Sequence, residues 1–153
     1  MYREAPLHPR AFAVRLARAI FTNGKSDCEL VAGLYADTLA GGFGWARTLQ
    51  FTWAMWTDEE AVQLAEALPL AREVRSLDLS TGNGGIGARG LEALAAAIRE
   101  GAASKLVTFR FDSDWGAKGV ALRAACEEHC CDLCFFRIRW AMPINGTSTA
   151  TKT

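Results

Sequence analysis

One pattern, apolar-x-x-apolar-x-apolar, returns along the chain, and such recurrence constrains a fold more than any single motif does. It is clearest in Val74-Arg75-Ser76-Leu77-Asp78-Leu79. It is also present in Ala46-Arg47-Thr48-Leu49-Gln50-Phe51, Leu106-Val107-Thr108-Phe109-Arg110-Phe111 and Leu133-Cys134-Phe135-Phe136-Arg137-Ile138. The central apolar residues Leu49, Leu77, Phe109 and Phe136 are separated by steps of 28, 32 and 27 residues. Alternation within each run predicts a strand with one buried face.

Between the runs the period changes to that of a helix. Ala61, Leu64, Ala65 and Leu68 fall at i, i+3, i+4 and i+7, as do Leu91, Leu94, Ala95 and Ile98; Leu122, Ala125, Cys126 and His129 follow the same spacing more weakly. Such spacing puts the side chains on one stripe. Phe51 precedes Ala61 by 10 residues, Leu79 precedes Leu91 by 12 and Phe111 precedes Leu122 by 11. Each unit therefore reads as strand, loop, helix and return. One unit cannot bury its own apolar faces, so neighbours are expected to stack.

These residues resemble a known family. Leu77-x-Leu79, then Ile86-Gly87-Ala88-Arg89-Gly90-Leu91, then Leu94-Ala95-x-Ala97-Ile98 is similar to the unit of ribonuclease-inhibitor-like leucine-rich repeats, and Gly116-Ala117-Lys118-Gly119-Val120 echoes it. The resemblance covers about residues 46–138. It implies an α/β leucine-rich-repeat solenoid of about four repeats, with a curved parallel sheet inside, helices outside and an N-terminal helical cap. It further implies non-catalytic binding of a partner protein on the concave face. The family commonly places an Asn shortly after the strand; here Asn83 comes one residue late, with Ala54 and Asp114 near that place in the neighbouring units.

On this reading residues 1–44 are an N-terminal cap or a degenerate repeat, 45–139 hold the repeats, and 140–153 form a disordered tail. The strands are expected near 46–51, 74–79, 106–111 and 133–138. Residues 9–21 suit a cap helix (Ala13, Leu16, Ala17, Ile20) and a decayed strand ending at Phe21 equally well. Residues 29–39 read as a helix with Val31, Leu34 and Tyr35 on one side, stopped by Gly41-Gly42.

Charge removes several classes of function. Lys plus Arg total 17 and Asp plus Glu total 17, a net charge of zero that gives no electrostatic ground to expect nucleic acid or an anionic membrane. No apolar stretch is long enough for a membrane span, and Arg15 and Arg18 spoil residues 11–21 as a signal peptide. Five cysteines, four of them in 126–134, suit a reduced, cytoplasmic (intracellular) protein.

Two motifs point to other chemistry. Gly82-x-Gly84-x-x-Gly87 follows a strand and opens a helix, the layout of a dinucleotide-binding turn, and a nucleotide-binding enzyme is the alternative it offers. Against it, Arg75, Ser76 and Asp78 leave one face of the preceding strand wet, whereas such a strand is normally covered on both faces. A small-GTPase regulator is a further alternative within the resembled family. Cys126, Cys130, Cys131 and Cys134 around His129 have thiolate and imidazole groups suited to zinc. They form a single run, and Cys126 belongs to the apolar stripe, so structural cysteines are expected and no metal. No cofactor and no catalytic residue is expected. Glu59-Glu60 and Glu127-Glu128 read as solvated or helix-end charges, and His8 lies in a terminal segment. Asn145-Gly146-Thr147 matches a glycosylation acceptor, which matters only in a secreted protein.

The outward strand residues then form the partner-binding candidates: Gln50, Asp78, Arg110, Asp112, Phe135, Arg137 and Arg139. Their C-terminal members are aromatic and cationic, which favours an acidic or carboxylate-bearing partner. The last strand has no following helix pattern, which leaves three alternatives: Trp140, Met142 and Ile144 fold back as a cap, the chain is a piece of a longer array, or the open edge self-associates with another chain.

Overall fold

A computed structural model describes residues 4–21, 24–112, 118–128 and 132–136. Five helices and four strands follow one another: α1 (Pro9–Leu16), α2 (Lys25–Thr38), β1 (Thr48–Gln50), α3 (Asp58–Ala67), β2 (Ser76–Asp78), α4 (Ala88–Arg99), β3 (Thr108–Asp112), α5 (Val120–Glu128) and β4 (Asp132–Phe136).

The N-terminal part begins as a helix, not a strand. Pro9 enters the first turn of α1, where its missing N–H costs nothing, and the His8 ring accepts a hydrogen bond from the Arg10 N–H. Phe12 stacks on Tyr35 of α2 with centroids 3.8 Å apart. The Tyr35 hydroxyl donates to the Leu7 carbonyl at 2.8 Å and accepts from the Leu7 N–H at 3.0 Å, tying the leading segment to α2. Gly41-Gly42 does not stop this helix. The chain continues through a π-helical turn, Leu39–Phe43, which turns Leu39 and Phe43 into the core. Of the three apolar residues expected on one side of α2, Leu34 is exposed while Val31 and Tyr35 are half-buried.

In α3 the Thr57 side chain caps the first turn and Glu60 reaches back to the Thr57 N–H at 2.8 Å, a reciprocal capping box. Ala61, Leu64, Ala65 and Leu68 are all buried, and Pro69 tightens the exit into a short 3-10 turn. Leu91, Leu94, Ala95 and Ile98 of α4 are fully buried. That helix ends at Gly101 with φ 88°, where the Ala102 N–H reaches the Ala97 carbonyl at 2.9 Å. Leu122, Ala125 and Cys126 of α5 are buried as well, while His129 lies outside the described residues.

The strands form one parallel sheet in the order β1-β2-β3-β4. Leu49 pairs with Leu77, Leu77 with Phe109 and Phe109 with Leu133. Leu49, Leu77 and Phe109 are buried beneath the stripes of α3 and α4. Each such side chain contributes roughly 1.5–3 kcal/mol by leaving water.

This architecture corrects the expected leucine-rich-repeat solenoid of about four repeats. Among the described residues there are five helices and one small, open sheet with strands of only three or five residues, too little strand for a curved four-repeat sheet with a concave face. The paired apolar residues Leu49, Leu77, Phe109 and Leu133 are 28, 32 and 24 residues apart, so the units are uneven. The N-terminal part spends its length on α1, α2 and a π-helical turn, with α1 packed against α2. The expected tail, residues 140–153, lies outside the described residues. Among the described residues no helix is long and apolar enough to cross a membrane.

Candidate functional site

The sheet has two unlike faces because its strands alternate. Leu49, Leu77 and Phe109 point into the core, and Thr48, Gln50, Ser76, Asp78, Thr108 and Arg110 occupy the other register rows. Gln50, Asp78 and Arg110 stand opposite one another across three strands, as their spacing in the sequence implies. Gln50 and Arg110 are exposed. Asp78 is buried, and its carboxylate accepts from both the N–H and the hydroxyl of Ser80. Its second oxygen lies 3.8 Å from the Arg110 guanidinium, a loose surface pair. The two Ser80 hydrogen bonds hold the Asp78 carboxylate, and Arg110 is half exposed beside it.

The other candidates fare differently. Asp112 ends β3, opposite Phe136. Phe135 stands opposite the buried Phe111, and Cys134 stands opposite Arg110. The sequence pattern places Phe136 beside Phe109, yet Leu133 takes that position, a slip of three residues. An odd slip exchanges the faces of a strand, so Phe135 falls in the register row of the core residues and not in the outward row. Arg137 and Arg139 lie outside the described residues, so the column does not extend from Arg110 to Arg137 as expected.

Loops at the C-terminal ends of β1 and β2 add two residues that periodicity did not single out for binding. In the segment 51–57, Ala54 and Trp56 are fully buried, while Trp53 and Met55 are each 67% exposed. Trp53 and Met55 both have φ 58°, the left-handed region that non-glycine residues avoid. Hydrogen bonds hold them there: the Trp53 N–H donates to the Thr81 carbonyl at 2.8 Å and the Met55 N–H to the Gly82 carbonyl at 3.1 Å. A side chain on Gly82 would strike the Trp53 backbone, and its φ of 79° also favours glycine, so packing and backbone conformation account for it without a ligand. The readable signal is the pair of large apolar residues set in a loop directly after a strand.

Asn83 is the hub of these loops. Its amide donates to the Phe51 carbonyl at 2.7 Å and the Leu79 carbonyl at 3.0 Å, and its oxygen accepts from the Trp56 N–H at 3.1 Å. Coming one residue late in the pattern, it nevertheless satisfies backbone groups of two loops at once.

The glycine-rich turn is already occupied by the chain itself. Oδ1 of Asp58 accepts from the Gly87 N–H at 2.7 Å and the Gly90 N–H at 2.8 Å, at the N-terminus of α4. A pyrophosphate would need those same donors. Gly85 abuts the Trp56 carbonyl and Gly90 abuts Ala61, so these two glycines serve close packing of one unit on the next.

Cys126 is buried in α5, Cys134 lies in β4, and Cys130 and Cys131 fall outside the described residues. Among the described residues no group of three His, Cys, Asp or Glu side chains could hold a metal ion. Glu60 belongs to the capping box, and Glu128 pairs with Arg99 at 3.6 Å. No family model, no curated protein and no solved structure matches the chain.

Proposed function

We propose that the chain is a non-catalytic protein-interaction module. Its partner is a protein that lies across the outward face of the sheet and the loop bearing Trp53 and Met55. The observation that carries this reading is the polar, uncovered face of an all-parallel sheet. Such sheets are ordinarily covered on both faces, whereas here Thr48, Gln50 and Arg110 are exposed on the face opposite the helices. A wet face ending in a rigid aromatic-and-methionine loop has the composition of an interface core beside a polar rim. Arg110 suits a carboxylate on the partner, and Trp53 with Met55 suits an apolar pocket. The nucleotide alternative gains nothing from a turn whose donors Asp58 already takes. An odd number of cysteines, four of them crowded into 126–134, is the feature of the sequence that supports a cytoplasmic setting.

The test is affinity capture and crosslinking from a cell extract with the native chain, with Arg110→Glu, and with Trp53→Ser combined with Met55→Ser. A specific partner recovered by the native chain and lost with these variants supports the reading. A partner retained equally by all three proteins would overturn the assignment of this face.

A further inference from the structure

The opposite ends of the strands carry a different chemistry. Arg47 and Arg75 directly precede β1 and β2 and are adjacent in the sheet, because the Arg47 carbonyl accepts from the Arg75 N–H at 2.8 Å. The Arg75 carbonyl in turn accepts from Val107 and Thr108 at the start of β3. Glu73 is anchored to the preceding turn, its N–H donating to the Gly44 carbonyl at 3.3 Å, and its carboxylate pairs with Lys105. Arg75 follows Glu73 by two residues and Arg47 lies beside Arg75, so all three share this end of the strands. Arg72 and Trp45 line the same spot: with Glu73, Leu70, Ala40 and Gly44 they border a cavity of about 120 Å³.

Charge in this cluster is unbalanced. Arg47, Arg72, Arg75 and Lys105 are all exposed, and among the described residues the carboxylate paired in this cluster is that of Glu73, with Lys105. Among the described residues none of the three arginines has a carboxylate within ion-pair distance. The whole chain has no net charge, so this is a local excess created by folding. Trp45 is 74% exposed at the border of the patch, a large apolar surface held beside cations.

We propose that this end of the molecule is a docking surface for an extended acidic peptide segment of a partner protein. Its carboxylates pair with Arg47, Arg72 and Arg75, and one aliphatic side chain enters the cavity beside Trp45. Guanidinium groups bind carboxylates through a planar fork, which gives orientation as well as attraction. The cavity is bordered by Ala40, Trp45 and Leu70, apolar surface that suits an aliphatic side chain. One exposed indole is not the succession of stacking platforms that single-stranded nucleic acid uses. The surface is separate from the outward sheet face, so it stands or falls independently of the function proposed above.

The probe is a short fluorescent peptide of Asp and Glu residues around one central Leu, titrated against the full chain and followed by anisotropy. Binding is expected, weakening steeply toward salt of ~0.15 M, where exposed charges are screened within about 8 Å. Arg47→Glu combined with Arg75→Glu is expected to weaken it by roughly tenfold or more, while Arg89→Glu, an exposed charge on α4, leaves it unchanged. Trp45→Ala is expected to abolish the preference for the Leu peptide over one with Ser in its place. These residues are exposed, and an unchanged melting temperature for each variant shows that the fold is retained. No binding at low salt, binding indifferent to the charge reversal, or binding of a single-stranded oligonucleotide in place of the peptide would each overturn the proposal.

Discussion

Asp58, the first residue of α3, is hydrogen-bonded to Gly87, the residue that opens α4, across 29 positions of sequence, with Oδ1 2.7 Å from the Gly87 nitrogen. One carboxylate thereby caps the next helix in the row, a role that Gly87 has no side chain to fill. Asp58→Ala is expected to cost about 1–2 kcal/mol in denaturant unfolding, the range for loss of a helix cap. NAD, NADP, ATP and GTP are expected to leave the melting temperature of the native chain unchanged. A nucleotide that raises it would show that the turn binds phosphate after all, since a ligand of the folded state at 100 times its Kd adds about 2.7 kcal/mol.

Asn83 connects two loops through three hydrogen bonds, all to backbone atoms. Asn83→Ala strands two carbonyls and one N–H in the interior, and a loss of about 3 kcal/mol is expected. Urea unfolding measures it, and a loss below ~1 kcal/mol would show that water reaches these groups.

Gly90 lies inside a helix, where alanine would ordinarily gain up to about 1 kcal/mol. Here an added Cβ would stand 2.7 Å from the Ala61 Cβ and 2.8 Å from the Asp58 carboxylate. Gly90→Ala is therefore expected to destabilise by roughly 1–3 kcal/mol, the cost of overpacking. A double-mutant cycle with Ala61→Gly checks the cause: the two changes together should cost less than their sum.

Trp53 and Trp56 are three positions apart and predict opposite outcomes. Trp56 is fully buried and its ring lies 4.5 Å from that of Phe51, so Trp56→Ala should cost about 3–5 kcal/mol. Trp53→Gly removes an exposed side chain and relaxes a left-handed residue, so stability should stay level or rise by up to about 1 kcal/mol. Loss of partner capture without loss of stability in Trp53→Gly would separate binding from folding.

Glu73 provides a pH marker. Its hydrogen bond with Lys105, and the charges of Lys105, Arg75 and Arg47, hold its carboxyl below the usual carboxylate range. A lowered folded value means that the contribution is present above the unfolded value and is lost as pH falls through the folded one. Lys105→Met is expected to move the Glu73 carboxyl titration upward in an NMR pH series. An unmoved titration would show that the ion pair is not formed in solution.

Local burial was legible in the residues. The alternation around Leu49, Leu77 and Phe109 marks positions that lie side by side in the sheet, and the stripes Ala61-Leu64-Ala65 and Leu91-Leu94-Ala95 face the core. The last strand misled because Phe135-Phe136 offers two apolar residues in succession, so either register satisfies the pattern, and pairing with β3 takes Leu133 instead. The solenoid expectation failed for a related reason. A repeated pattern states which side chains seek burial, but not whether the units are equal enough to stack into a curve.

The sequence by itself determined where strands and helices alternate, since periodicity records which face of each element leaves water. Only the tertiary structure decided that Asp58 would fill the glycine-rich turn, that Asn83 would tie two loops, and that Trp53 and Met55 would be held outward in left-handed conformations. It alone brought Arg47 beside Arg75 and paired Glu73 with Lys105 at one end of the strands. Those relationships join residues about 30 positions apart, and they depend on strand register and helix packing, which no local pattern encodes.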